Sequence, residues 1–113
     1  MAYTIHQEPG PPGFFIVVTG DADVTAAGDL QEAVTAAVVS GHRSVAIDLS
    51  NATLVDSRTI GVLVEWSKRL GAAGGSLQVV CANPNILRLF TRIGLDRSIT
   101  LVSTREDVEA GGH

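Results

Sequence analysis

Residues 48–63 read DLSNATLVDSRTIGVL, and they decide how this chain is organised. An apolar, β-branched strand predicted at residues 45–49 leads into a polar segment, 50–57, and an amphipathic helix begins at its end. This order places the hydroxyl of Ser57 at a helix N-terminus. Backbone N–H groups and the helix dipole favour negative charge at that position.

Ser57 therefore has two interpretations. As a phosphoacceptor, it would carry its phosphate in a favourable electrostatic field. As an N-cap, it would only satisfy the free N–H groups of the helix, and serine is common in that role. Position alone favours the cap, and a choice between the two needs further observations.

The composition limits the classes of protein to be considered. The chain has 113 residues, of which 45% are hydrophobic and only 4% aromatic, so we expect one domain with an aliphatic core. A formal net charge of -4 argues against a nucleic-acid footprint. A single cysteine, Cys81, forms no internal disulfide, which suits a reducing cytoplasm. No signal segment or membrane-span-length apolar run is visible, so a cytoplasmic protein without membrane contact is expected.

Apolar strands alternate with helical stripes along the chain. Helices are predicted between a cap at Asp23 or Thr25 and Gly41, at 57–70, after Asn83 and, as a short terminal helix, at 104–110. The predicted strands are 3–7, 14–19, 45–49, 77–81 and 98–102. This alternation favours a largely parallel sheet in one α/β domain over residues 1–113, with a frayed tail at 111–113.

Asp21 and Asp23 follow a buried strand directly. If the strands are parallel, this turn and segment 50–57 emerge at the same edge of the sheet, where open α/β sheets bind ligands. Ordinary turn and capping chemistry is the alternative explanation for both aspartates.

The predicted helix at 57–70 has a second face, opposite its core stripe, that carries Arg58, Val62, Glu65 and Arg69. Val62 is therefore predicted to be an exposed apolar residue close to Ser57. Such a residue is either part of a docking surface or one of the isolated valines that are ordinary on protein surfaces.

Catalysis and metal binding lack the necessary residues. A serine hydrolase needs a general base beside Ser57, but His42 precedes the strand at its far end, His6 lies on an edge strand and His113 in the tail. There is no Gly-x-Ser-x-Gly motif. Cys81 has no histidine at ligand spacing, so we expect no metal, no cofactor and no enzyme activity.

Several motifs in a fixed order carry a family resemblance. They are GDADVTA at 20–26, IDLS at 47–50, VDS at 55–57, IGVL at 60–63, GGSL at 74–77, NPNILRLF at 83–90 and IGLD at 93–96. Over residues 4–110 the chain resembles a STAS domain, a family named for sulfate transporters and anti-sigma-factor antagonists. A free-standing STAS chain of this size is similar to the bacterial anti-sigma-factor antagonists.

The resemblance implies a fold and a mechanism. The fold would be a mixed, mostly parallel sheet of about five strands with about four helices mainly on one face. The unmodified antagonist would bind an anti-sigma factor that is also a serine kinase, and so release the sigma factor. Phosphorylation of the serine after the loop aspartate, here Ser57, would end binding, and a phosphatase would reverse it. The expected partner-binding residues are Asp21, Asp23, Thr25, Asp56, Ser57, Arg58, Thr59 and Val62.

The switch segment departs from the family pattern, which usually runs Asp-Ser-Ser-Gly-Leu-Gly. Here Arg58 follows the acceptor, where it either obstructs a kinase, pairs with the phosphate or selects another partner. Thr59 replaces glycine and is a second, weaker acceptor candidate. Two other functions stay open: an adaptor that is never phosphorylated (a constitutive antagonist or a transporter-ATPase accessory subunit) and a small nucleotide-binding module. The oligomeric state, monomer or weak dimer, is also open.

Overall fold

A five-stranded mixed sheet forms the centre of the computed structural model, which describes residues 3–8 and 14–108. The strands lie in chain order: β1 (Tyr3–Glu8), β2 (Phe15–Ala22), β3 (Ser44–Val55), β4 (Ser76–Val80) and β5 (Thr100–Val102). β1 runs antiparallel to β2 at one edge, and the other neighbouring pairs are parallel. The predicted α/β class and the mixed, mostly parallel sheet are confirmed.

Within the described residues, three α-helices cover one face of this sheet: α1 (Val24–Val39), α2 (Ser57–Ala72) and α3 (Pro84–Arg92). The expectation of about four helices was too high, because the described part of the predicted terminal helix forms only a 3-10 turn, Arg105–Asp107. Residues 109–113, which include the predicted frayed tail, lie outside the described residues. No described helix is long and apolar enough to cross a bilayer.

The main core lies between the helices and this face. Leu30 and Val34 of α1 and Leu63 of α2 pack against the sheet, as the helical stripes predict. Trp66 is also buried, and its indole N–H donates to the side chain of Gln31 at 2.9 Å, so it links α2 to α1. Ile93, the residue directly after the end of α3, is half-exposed.

β3 is much longer than its apolar run. The sequence predicted a strand at 45–49 followed by a polar loop, but the strand continues to Val55. Its pairing with β2 also continues, joining Asp21 to Leu54 and Ala22 to Val55, with two register shifts on the way. Gly20, at the second shift, has a φ of 90°, a conformation that glycine adopts without steric cost. The polar residues therefore lie on an irregular strand that has one exposed face.

The other face of the sheet carries no α-helix from the described residues. A small apolar cluster of Phe15, Val17, Ala46 and Val80 is covered there by Val108 of the C-terminal segment. Burying these side chains favours a C-terminal segment that lies along the sheet.

Arg105 fastens this C-terminal segment. Its Nε donates to Asp48 Oδ2 at 2.6 Å, its Nη1 donates to Glu8 Oε1 at 2.7 Å, and the guanidinium lies 4.7 Å from the ring centre of Phe15. One side chain therefore links the C-terminal segment to three neighbouring strands. It also compensates the charge of Asp48, which is buried in the middle of β3.

We predict that Arg105→Met destabilises the fold by about 2–3 kcal/mol, because it leaves the buried Asp48 carboxylate without its cation. Urea unfolding measures the change. Arg88→Met is the matched control, since Arg88 is exposed and makes no ion pair with any described residue, and it should change stability by less than about 0.5 kcal/mol. Equal effects of the two substitutions would contradict this role of Arg105.

The contacts of Arg105 with Asp48 and Glu8 predict that the stability of the fold depends on pH. Burial raises the pKa of Asp48, but hydrogen bonds from Ser50 and Arg105 outweigh it, and the pKa lies below its ordinary value. Hydrogen bonds from Arg105 and His6 lower the pKa of Glu8. A carboxylate with a lowered folded-state pKa adds stability above its unfolded pKa and loses it as the pH falls through the folded pKa.

We therefore expect the stability difference between wild type and Arg105→Met to be largest near neutral pH and to shrink as the pH falls towards the lowered folded-state pKa values of Asp48 and Glu8. Urea unfolding at stepped pH measures it. A difference that stays constant down to pH 2 would show that the carboxylates are not the partners that matter.

Candidate functional site

The carboxyl ends of β2 and β3 bring two of the predicted segments together. The strands are parallel to their last residues, Ala22 and Val55, and the N–H of Asp56 donates to the carbonyl of Ala22 at 3.0 Å. The turn after β2 and the segment before α2 therefore leave the sheet at the same edge, as the sequence predicted for parallel strands.

An aspartate caps each helix that begins at this edge. Asp23 Oδ1 accepts from the N–H groups of Thr25 and Ala26 at 3.0 and 3.2 Å. Asp56 Oδ1 accepts from the N–H groups of Arg58 and Thr59 at 3.0 and 3.1 Å. Both carboxylates satisfy free donors in the first turn and lie in the favourable field of the helix dipole.

Ser57 is consequently not the N-cap. It is the first residue of α2, it is exposed, and its hydroxyl makes no hydrogen bond within residues 3–8 and 14–108. The interpretation of Ser57 as an ordinary cap was wrong because Asp56 already occupies that role. The serine hydroxyl has no structural role within the described chain and is open to solvent.

Two of the predicted contact residues are buried instead. Thr59 is 1% exposed, and its hydroxyl donates to the carbonyl of Ala22 at 3.4 Å. Asp21 is 6% exposed and accepts a hydrogen bond from the Thr53 hydroxyl. Thr59 therefore links α2 to the end of β2, and Asp21 links β2 to β3. Because both side chains are buried, neither forms part of the surface in this conformation. A kinase could not reach the buried Thr59 hydroxyl in this conformation, which argues against Thr59 as a second phosphoacceptor.

The remaining predicted residues lie at or near the surface. Thr25 and Arg58 are exposed, and Asp23 and Asp56 are half-buried by their capping role. Val62, predicted to be exposed, is half-buried and packs against the main core, because the apolar face of α2 is wider than its central stripe.

Two exposed apolar residues at the edge that carries Ser57 were not predicted from the sequence. Val24 is 51% exposed and Leu54 is 43% exposed, one at the start of α1 and the other at the end of β3. Val24 directly follows the capping Asp23, and this position at the start of a helix was the sequence signal that could have indicated its exposure. Leu54 could not be recognised, because the strand containing it was predicted to end at residue 49.

Neither histidine within residues 3–8 and 14–108 lies at this edge. His42 lies at the opposite end of β3, where its ring is 4.5 Å from that of Phe14, and His6 bonds to Glu8 on β1. No cluster of metal-binding side chains occurs among the described residues. Cys81 is buried, and burial raises its thiol pKa.

A groove of about 650 Å³ lies elsewhere, along β1 and α1, and contains none of the predicted site residues. At this groove the hydroxyl of Tyr3 donates to Asp29. That hydrogen bond, with a smaller contribution from burial, raises the pKa of Tyr3 to about 12.

Comparison with protein families shows which family the chain belongs to. Residues 13–103 match the family model described as "Mlab, STAS domain". This chain belongs to the STAS domain family. No curated protein matches it.

Solved structures show which STAS domains it resembles. An anti-sigma factor antagonist from Mycobacterium paratuberculosis is 26% identical, with a TM-score of 0.84 over 94% of this chain and 90% of that one. A putative anti-sigma factor antagonist from Thermotoga maritima is 19% identical, with a TM-score of 0.79 over 91% and 89%. The antagonist SpoIIAA in its unphosphorylated form is 17% identical, with a TM-score of 0.77 over 92% and 91%. The last two show a shared fold.

We predict that Asp56→Ala destabilises this STAS domain by about 1 kcal/mol, because two N–H groups in the first turn of α2 lose their acceptor. Ser57→Ala is the matched control and should change stability by less than about 0.5 kcal/mol. Thermal and urea unfolding measure both. The reverse order of effects would mean that Ser57 is the cap after all.

Proposed function

We propose that this STAS domain is an anti-sigma-factor antagonist controlled by phosphorylation of Ser57. The observation that carries the proposal is the exposed Ser57 hydroxyl, which the Asp56 cap leaves without a structural role. The unmodified protein binds an anti-sigma factor that is also a serine kinase, in the bacterial cytoplasm, and so releases the sigma factor. The likeness to the mycobacterial antagonist supports this general role.

Phosphorylation acts on binding through charge. A phosphoserine carries about -1.5 to -2 charges near neutral pH. A partner packed against Ser57 would have to remove water from that charge, which is costly unless a matched cation replaces the water. Asp23 and Asp56, at the same edge, already make the local charge negative.

The free protein tolerates the same phosphate. Position N1 of α2 lies in the positive field of the helix N-terminus, and the group stays hydrated there. Arg58 is the next residue, is exposed and makes no ion pair with a described residue, so it is available to the phosphate. Phosphorylation therefore weakens binding without disturbing the fold.

The proposed function also covers the domain organisation of the chain and a second partner, a phosphatase. Residues 1–113 act as a single STAS domain, and a phosphatase returns Ser57 to its unmodified state. Asp23, Thr25, Asp56 and Arg58 surround the acceptor as partner contacts. Catalysis, a cofactor and nucleic acid have no part in this mechanism.

We predict that Ser57→Asp weakens binding to the cognate anti-sigma-factor kinase by about 3 kcal/mol, or roughly 150-fold, because a fixed negative charge must be desolvated. Ser57→Ala is the control and should bind like wild type. The purified anti-sigma-factor kinases of the source organism serve as partners in calorimetric titrations. With ATP, the active kinase should add about 80 Da to wild type and nothing to Ser57→Ala.

Two outcomes would contradict the proposal. If none of the kinases binds the unmodified protein, the antagonist function is wrong. If one binds Ser57→Asp as tightly as wild type and adds no phosphate, the protein is the alternative, an adaptor that is never phosphorylated.

A further inference from the structure

Basic side chains gather around α3. Arg88 and Arg92 lie four residues apart on its exposed side, and Arg97 follows in the 3-10 turn Leu95–Arg97. None of these three guanidinium groups makes an ion pair or a hydrogen bond with a described residue. Because Asp96 is the one acidic residue in the sequence 84–98, this flank of the molecule is positively charged.

The positive surface extends to α2. The Ser67 hydroxyl donates to the carbonyl of Ser98 at 3.0 Å, which holds the middle of α2 against the chain just after the 3-10 turn. Lys68, next to Ser67, is exposed and makes no ion pair with any residue that the structure describes. Lys68 and Arg97 therefore occupy neighbouring positions at the boundary between α2 and the α3 flank.

The exposed side of α1 carries the opposite charge. Residues 14–42 contain no lysine or arginine, and Asp29 and Glu32 of α1 are both exposed. Glu32, Ala36 and Val39 follow one another at spacings of four and three residues, so they form one exposed line along the helix. Unlike α2 and α3, α1 has no basic residue in its last turn, so its free carbonyl groups add to the negative potential there.

An exposed apolar residue accompanies each charged surface. Val39, the last residue of α1, is 82% exposed, and Ile93, directly after α3, is 50% exposed. The other large exposed apolar residues of the described chain, Val24 and Leu54, lie at the edge that carries Ser57. Helix α1 joins the parallel strands β2 and β3, and α3 joins β4 and β5, so Val39 and Ile93 both lie towards the opposite edge. Covering two such side chains with each other removes apolar area from water.

The two charged surfaces lie on opposite sides of α2. That helix contacts α1 through the Trp66–Gln31 hydrogen bond and the α3 flank through the Ser67–Ser98 hydrogen bond. The surfaces therefore cannot meet within one molecule. Two molecules related by a twofold axis over α2 would place α1 of each against α3 of the other, so that both contacts form at once.

We propose that two copies of this STAS domain associate through their helical layers, with α1 of each copy against α3 of the other. The contact residues are Glu32, Ala36 and Val39 on α1 and Arg88, Arg92, Ile93 and Arg97 on the α3 flank. A second copy is the partner that charge complementarity identifies, because this chain itself carries both halves of the contact. The association goes beyond the proposed function, since it uses none of the residues assigned to the antagonist contact.

Sedimentation velocity of wild type at increasing concentration tests the association. The mean sedimentation coefficient should rise towards that of a dimer. Raising the salt concentration from about 0.1 M to about 1 M shortens the screening length from about 10 Å to about 3 Å, and should weaken the association at least about fivefold. A wild type that stays monomeric up to about 1 mM protein would overturn the proposal.

Charge reversal locates the contact. Glu32→Arg and Arg92→Glu should each weaken the association at least about tenfold, because each places like charges opposite one another. An equimolar mixture of the two variants should associate like wild type, because every facing pair is again of opposite sign. Glu106→Arg is the matched control: it makes the same change in net charge at an exposed residue of the C-terminal segment, on the other face of the sheet, and should leave the association unchanged.

The apolar part of the contact is tested in the same experiments. Val39→Ser and Ile93→Ser should each weaken the association about fivefold or more, since each removes an aliphatic side chain that the partner copy covers. Val24→Ser is the matched control for Val39, because Val24 is 51% exposed on the same helix and lies outside the contact. Its association should equal that of wild type.

The outcomes separate this inference from the proposed function. If wild type dimerises but Glu32→Arg and Arg92→Glu dimerise equally well, another surface forms the dimer and the inference is wrong. If wild type is monomeric and Arg92→Glu instead weakens binding to the anti-sigma-factor kinase, the α3 flank serves that partner and the inference is again wrong. The proposed function is decided separately, by the kinase titrations of Ser57→Asp and Ser57→Ala.

Discussion

The parallel pairing of β2 with β3, maintained to their last residues, is the constraint on which the site depends. It sends both chain segments out at one edge, where the Asp56 N–H bonds to the Ala22 carbonyl. Helices α1 and α2 then begin side by side, each capped by an aspartate. A shift of β3 by one residue would turn Val55 out of the core and move Asp56 away from its helix, so fold and site share one register.

The capping geometry leaves Ser57 without a structural role among the described residues, which is what the proposed phosphorylation switch requires. Because Asp56 supplies the acceptor that the first turn requires, the Ser57 hydroxyl makes no hydrogen bond with any residue that the structure describes. The burial that stabilises the domain lies elsewhere, in the aliphatic core beneath the helices and in the Arg105 contacts on the opposite face. Under the proposed function, a change of charge at Ser57 would therefore alter partner binding while those contacts stay intact.

Local patterns were enough to predict the α/β class, the edge strand and the shared edge, because these follow from apolar periodicity and from aspartates after buried runs. Local patterns failed where tertiary contacts determine the structure. The polar half of β3 is a strand only because β2 pairs with it, and so the exposed Leu54 was missed. The competition between Asp56 and Ser57 for the cap, and the inward turn of Thr59, depend on the angle at which α2 leaves the sheet, which periodicity does not specify.

The central claim is that phosphate on Ser57 changes the surface and leaves the fold unchanged. Backbone amide NMR spectra of the protein before and after stoichiometric phosphorylation test it most directly, with Ser57→Ala as the unphosphorylated control. The account predicts that shift changes are confined to the first two turns of α1 and α2 and to the strand ends beside them. Changes that spread through β4, α3 and the Arg105 segment would contradict it, because the phosphate would then act by remodelling the domain.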